Sequence, residues 1–119
     1  MKVLIVDDAR WQRSNLTRIL TAAGHEVIAA ADGREALTKL GDEPHAIICD
    51  LLMPELDGFG VLEALRDAQV SVPVVIATAD IQQTSRDRCM ALGASGFVAK
   101  PYKAVDILHA LGAATGTSC

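Results

Sequence analysis

Short apolar runs, separated by segments with helical periodicity, are the feature that most constrains what this chain can fold into. Runs of strand length lie at residues 3–6, 27–31, 46–49, 72–77 and 97–99, and three are rich in the β-branched residues that suit a pleated sheet. Between the first two, Leu16, Ile19, Leu20 and Ala23 follow i, i+3, i+4, i+7 spacing, with Gly24 as a stop. Ala36, Leu37 and Leu40 form a shorter stripe closed by Gly41, and Leu62, Leu65 and Ala68 a third. Cys89 and Leu92 before Gly93 mark a fourth helix, Leu108 and Leu111 before Gly112 a fifth. Continuous apolar strands alternating with amphipathic helices predict an α/β fold: a five-stranded parallel sheet with five helices on both faces. Residues 1–111 read as one domain and 112–119 as a loose C-terminal tail.

Half of the 119 residues are hydrophobic, yet only Trp11, Phe59, Phe97 and Tyr102 are aromatic, so Val, Ile, Leu and Ala carry the core and disorder is excluded. Eleven Lys and Arg against fifteen Asp and Glu give a net charge of −4, which argues against nucleic acid or an anionic membrane as a partner of this stretch. The four apolar residues ahead of Asp7 are too few for a signal peptide, and no run approaches membrane-spanning length. Cys49, Cys89 and Cys119 lack the number and spacing of a disulfide frame or zinc site, although Cys119 is placed for adventitious dimers in air. The expected compartment is the cytoplasm.

In an open parallel sheet, ligands bind outside the carboxyl ends of the strands. The first apolar run ends in Asp7-Asp8, the third in Asp50, the fourth in Thr78 and the fifth in Lys100-Pro101; the second ends less distinctively, at Asp32-Gly33. Three carboxylates, a hydroxyl and an ammonium therefore share one rim. Mutually repelling carboxylates need cations: Lys100 supplies one charge, and a hard divalent ion such as magnesium suits oxygen donors of this kind. A carboxylate is also a recognised phosphoryl acceptor, and phosphoryl transfer needs mainly positioning and neutralised oxygens.

These residues carry a resemblance. Asp7-Asp8, the run Asp50-Leu51-Leu52-Met53-Pro54-Glu55-Leu56-Asp57-Gly58 as D-x-x-M-P-x-x-D-G, Thr78-Ala79, and Phe97 three before Lys100-Pro101 all stand in order. The chain resembles a receiver (response regulator, chemotaxis-type) domain of bacterial two-component signalling from Lys2 to Leu111. The resemblance implies the flavodoxin-like (βα)5 fold with strand order 2-1-3-4-5, and a regulatory domain that promotes only its own phosphorylation and dephosphorylation. It implies Asp50 as phosphoacceptor and magnesium, or alternatively manganese, held by Asp8 and Asp50, by Asp7 mostly through water, and by the Leu52 backbone carbonyl. Thr78 and Lys100 would contact the phosphoryl oxygens, the Lys100–Pro101 peptide would be cis, and Thr78 and Phe97 would be the switch residues that repack the surface of the fourth and fifth strands and helices. A sensor histidine kinase or acetyl phosphate would be the donor, and a downstream protein target or a phosphatase domain the receiver of the signal, from a monomer or a weak phosphorylation-linked dimer.

Plainer readings stand beside these. Asp8 can cap the helix beginning near Ala9, and Asp57 before Gly58 reads as the cap of the third helix. Alone, Thr78 is an ordinary strand residue, Lys100-Pro101 a turn and Phe97 core; their joint placement gives them weight. Asp80 is expected to cap the fourth helix, with Gln83 completing a capping box, the other reading being that its charge tunes water attack on a phosphoryl group. Trp11, one turn after Asp8, is expected to pack near the acid pocket. His25, His45 and His109 lack metal-ligand spacing, and no P-loop or G-x-G-x-x-G is present. Two rival functions remain: a receiver acting as a phosphorylation-independent scaffold, and a flavodoxin-like flavin electron carrier, whose phosphate Asp7 and Asp8 would repel. A haloacid-dehalogenase-type phosphatase would want D-x-D where Asp7-Asp8-Ala9 stands.

Overall fold

The computed structural model describes residues 1–116. Strands β1 (Lys2–Val6), β2 (Glu26–Ala30), β3 (Ala46–Cys49), β4 (Val74–Thr78) and β5 (Gly96–Ala99) alternate with helices α1 (Arg10–Ala22), α2 (Gly33–Thr38), α3 (Gly58–Asp67), α4 (Gln83–Ala91) and α5 (Ala104–Thr115). All strand pairs are parallel, in the order β2-β1-β3-β4-β5. This is the expected (βα)5 architecture. No helix among the described residues is long and apolar enough to cross a membrane.

Side chains alternate across a strand, so each buried run feeds two cores. Leu4, Val6, Ile47, Cys49 and Ile76 pack with Ala36, Val61, Leu62, Leu65 and Cys89 on the face covered by α2, α3 and α4. Val3, Ile5, Ile48, Val75 and Ala77 pack with Leu16, Ile19, Leu20, Ile107 and Leu111 under α1 and α5. Burial on both faces explains why β3 and β4 read as unbroken apolar runs.

Several boundaries differ from the sequence reading. Thr78 belongs to β4, because it pairs with Ala99 of β5. Gly112 does not end α5: it is buried inside the helix, which runs on to Thr115 and closes at Gly116 with φ +72°. The predicted tail is thus helical as far as Thr115, while its last three residues, with Cys119, lie outside the described residues. At the end of α1, Gly24 does adopt the left-handed conformation, with φ +88°.

Candidate functional site

Strand register sets the site. Val6 stands opposite Cys49, so the next residues, Asp7 and Asp50, leave β1 and β3 side by side, tied by the Asp50 N–H donating to the Val6 carbonyl at 2.9 Å. Across the sheet, the Lys100 N–H donates to the Thr78 carbonyl at 2.8 Å. Asp7, Asp50 and Thr78 are buried and Asp8 is exposed. Lys100 Nζ bridges the two buried acids, donating to Asp7 Oδ2 at 2.7 Å and to Asp50 Oδ2 at 3.0 Å. Their other oxygens accept from the backbone: Asp7 Oδ1 from Ala9 N at 2.9 Å, Asp50 Oδ1 from Leu51 N at 2.7 Å. Asp7, Asp8 and Asp50 each bring a carboxylate oxygen within 4.8 Å of the others. Three carboxylates face one ammonium, and this all-oxygen donor set with surplus negative charge fits a hard divalent cation.

The same charges act on their neighbours. Burial works to lower the Lys100 pKa, but the hydrogen bonds and charges of Asp7 and Asp50 outweigh it and hold the ammonium above its ordinary value. Burial pushes the Cys49 thiol far up, with Asp50 and Asp7 adding to it, so it stays protonated and donates to the Asp50 carbonyl at 3.2 Å. Tyr102 donates its hydroxyl to Oε1 of the buried Gln12 at 3.2 Å, and burial, then Asp7 and Asp50, push its pKa up to about 12. Tyr102 is the single tyrosine, so ultraviolet difference spectra read it directly, and its phenolate band is expected near pH 12. In the unfolded chain a tyrosine ionises near pH ~10. The unfolded state therefore sheds that proton first, and stability falls as pH rises from ~10 towards 12, with Lys100 acting in the same direction. A thermal melting temperature that stays level across that window would contradict this.

The Lys100–Pro101 peptide is cis. Phe97 is half-buried, and Leu52 lies in the turn after β3 with an exposed side chain. Asp57 does cap α3, accepting from Gly60 N at 2.8 Å. Three expectations are corrected. Asp8 does not cap α1: Ala9 holds the N-cap position, and the neighbouring Asp7 takes the Ala9 N–H. Trp11 is 69% exposed, because the inward face of α1 starts with Gln12, roughly 100° further round the helix. Asp80 forms no capping box, since α4 begins later, at Gln83, after an N-cap Gln82 without a side-chain bond. Its Oδ1 accepts from Gln82 N at 3.2 Å and its Oδ2 from Ser85 Oγ at 2.6 Å, while Gln83 pairs with Asp87.

Gly58 has a second task that its motif position does not reveal. A Cβ there would meet the Asp50 carbonyl oxygen at 2.5 Å and Leu51 Cα at 2.8 Å. Gly58→Ala is expected to lower stability by about 1–3 kcal/mol, as overpacking against fixed backbone does, and to weaken magnesium binding by displacing the Asp50 turn. A Cβ at Gly60 meets chiefly the flexible Leu56 side chain, so Gly60→Ala should leave magnesium affinity unchanged. Denaturant unfolding and a magnesium titration on both variants check the contrast.

Two buried acids from neighbouring strands, a lysine reaching them from the edge strand and a buried hydroxyl on the strand between form the rim expected of a receiver domain. The family profile described as response regulator receiver domain matches residues 3–112, and the chain belongs to that family. It is 39% identical over 102 residues to a protein named probable transcriptional regulator ycf27 of Porphyridium aerugineum, covering 85% of this chain and 42% of that protein. With response regulator MprA of Mycolicibacterium vanbaalenii it shares 36% over 109 residues, 91% of this chain and 47% of the relative. The chain thus spans less than half the length of these curated relatives. Among solved structures, Vibrio cholerae chemotaxis protein CheY4 superposes with a TM-score of 0.88 at 34% identity over 95% of this chain and 97% of that one, which supports the chemotaxis-type reading. The Francisella response regulator 1452 receiver domain gives a TM-score of 0.90 at 25% identity, covering 97% and 96%. Receiver domains are regulatory rather than classical enzymes; they pair with sensor histidine kinases and bind magnesium through acidic residues. The sequence expectation that excluded nucleic acid rests on the charge of these 119 residues, and it does not extend to longer proteins of the kind named as transcriptional regulators.

Proposed function

We propose that this domain accepts a phosphoryl group on Asp50, from the phosphohistidine of a sensor histidine kinase or from a small donor such as acetyl phosphate, and signals through its α4–β5–α5 surface. The observation that carries the reading is Lys100 Nζ bridging Asp7 and Asp50 at 2.7 and 3.0 Å, beside the exposed Asp8. A carboxylate oxygen of Asp50 attacks phosphorus as the bond from phosphorus to the donor breaks, P–N in phosphohistidine or P–O in acetyl phosphate, and its electron pair leaves with the imidazole or the acetate. Lys100 and the Thr78 hydroxyl would hold phosphoryl oxygens as charge develops. Asp8 and Asp50, the Leu52 carbonyl and, through water, Asp7 would hold magnesium or manganese; when bound, the ion neutralises charge on the acids and the phosphoryl oxygens.

In this reading Thr78 then moves toward the phosphoryl group and Phe97 turns inward behind it, which changes the face offered to a downstream protein or phosphatase domain, from a monomer or a weak phosphorylation-linked dimer. The cytoplasm is the matching compartment. Intact mass after treatment with magnesium and acetyl phosphate tests the proposal: one added phosphoryl group is expected, and none without the metal. A folded protein that neither gains mass nor captures beryllofluoride would instead be a phosphorylation-independent scaffold.

A further inference from the structure

The helix between the two switch residues is fastened unusually. Within α4 only Cys89 is buried, so an apolar stripe does not hold it to the sheet. Its second half is bolted down by Cys89 and by Arg88, whose guanidinium lies 4.1 Å from the Phe59 ring centroid and 3.8 Å from Glu63 Oε1. Its first half is tied by two consecutive side chains of different chemistry. Ser85 Oγ donates to Asp80 Oδ2 at 2.6 Å, and Asp80 Oδ1 accepts from Gln82 N, which closes the loop after β4 on itself. That loop presents the Asp80 N–H to the Thr78 hydroxyl oxygen at 3.2 Å. Arg86, the next residue, places its guanidinium 5.5 Å from the centroid of Phe97.

We propose that Ser85 and Arg86 are positioning residues, Ser85 acting on Thr78 through Asp80 and Arg86 on Phe97, and that together they hold both switch residues in the resting arrangement. The inference rests on the phosphoryl-acceptor reading above. If Thr78 moves toward a phosphoryl group and donates its hydroxyl there, its oxygen draws away from the Asp80 N–H; if Phe97 turns inward, it leaves the Arg86 guanidinium. Both fasteners belong to the resting state alone, so each one reduces the population able to bind a phosphoryl group. Their loss strengthens binding of a phosphoryl mimic.

The test is calorimetric titration of the whole chain with beryllofluoride in the presence of magnesium. Ser85→Ala and Arg86→Ala are each expected to bind about three- to tenfold more tightly than wild type, the size of one typical net hydrogen bond or one solvent-exposed cation–π contact. Ser85→Thr, which keeps the hydroxyl, should return to the wild-type affinity. A purely structural role would lower the melting temperature of both alanine variants and leave their affinities at or below wild type, and that result overturns the inference. A wild type that binds no beryllofluoride is a different failure: it removes the phosphoryl-acceptor reading, and this inference with it.

Discussion

An Asp50→Asn variant treated with magnesium and acetyl phosphate is expected to keep its unmodified mass while the wild type gains one phosphoryl group. The loss should be complete, because a neutral amide offers no anionic oxygen to attack phosphorus. The fold should survive the change. Asparagine fills the same space, and its side-chain oxygen still accepts from Leu51 N, the bond that Asp50 Oδ1 makes at 2.7 Å. Lys100 keeps Asp7 as a partner at 2.7 Å, and the acid surplus drops from three carboxylates against one ammonium to two. Magnesium affinity is expected to fall at least about tenfold with the loss of a charged donor. If the variant still gains a phosphoryl group, the acceptor is another residue, and exposed Asp8 in the same cluster is the first to examine by fragment mass analysis.

Much of this was legible before the structure because β1, β3 and β4 are buried on both faces, which leaves runs such as Val74–Ala77 without a polar interruption. The residues ending those runs sit at one rim by topology alone. Ends of elements were less legible: Gly112 and Gly116 are the same letter, but Gly112 is buried within α5 while Gly116 takes the left-handed conformation that ends it. Helix α4 was the least legible element, since its ties run from Ser85 to Asp80, Arg86 to Phe97 and Arg88 to Phe59, pairs that follow no apolar periodicity. Trp11 and Gln12 show the same limit. Hydropathy favours the indole for the interior, but the direction of α1 turns Gln12 inward to meet Tyr102. The close approach of Gly58 to the Asp50 carbonyl likewise appears only when the turn is built.

Replacing Lys100 by Met separates the two tasks of the lysine, because methionine keeps an apolar stem of similar length and removes the charge. The side chains of Asp7 and Asp50 are only 3% and 10% exposed, so without the ammonium two carboxylates face each other with little solvent between them. Removing one partner of a buried ion pair costs about 3–5 kcal/mol. In a domain of this size the melting temperature should fall by about 10 °C or more in metal-free buffer. Magnesium should recover most of that loss, since a ligand at a hundred times its dissociation constant adds about 2.7 kcal/mol. The variant is expected to gain more from the metal than wild type does, because no ammonium competes for the acids. Phosphoryl uptake follows a different course. With stability restored by magnesium, the donors that Lys100 offers to phosphoryl oxygens are still missing, and the rate should remain about a hundredfold below wild type. A metal-free Lys100→Met protein as stable as wild type would show that Lys100 is not the counter-charge of the acids. Wild-type uptake in the metal-bound variant would show that the lysine holds the resting site together without serving the transfer.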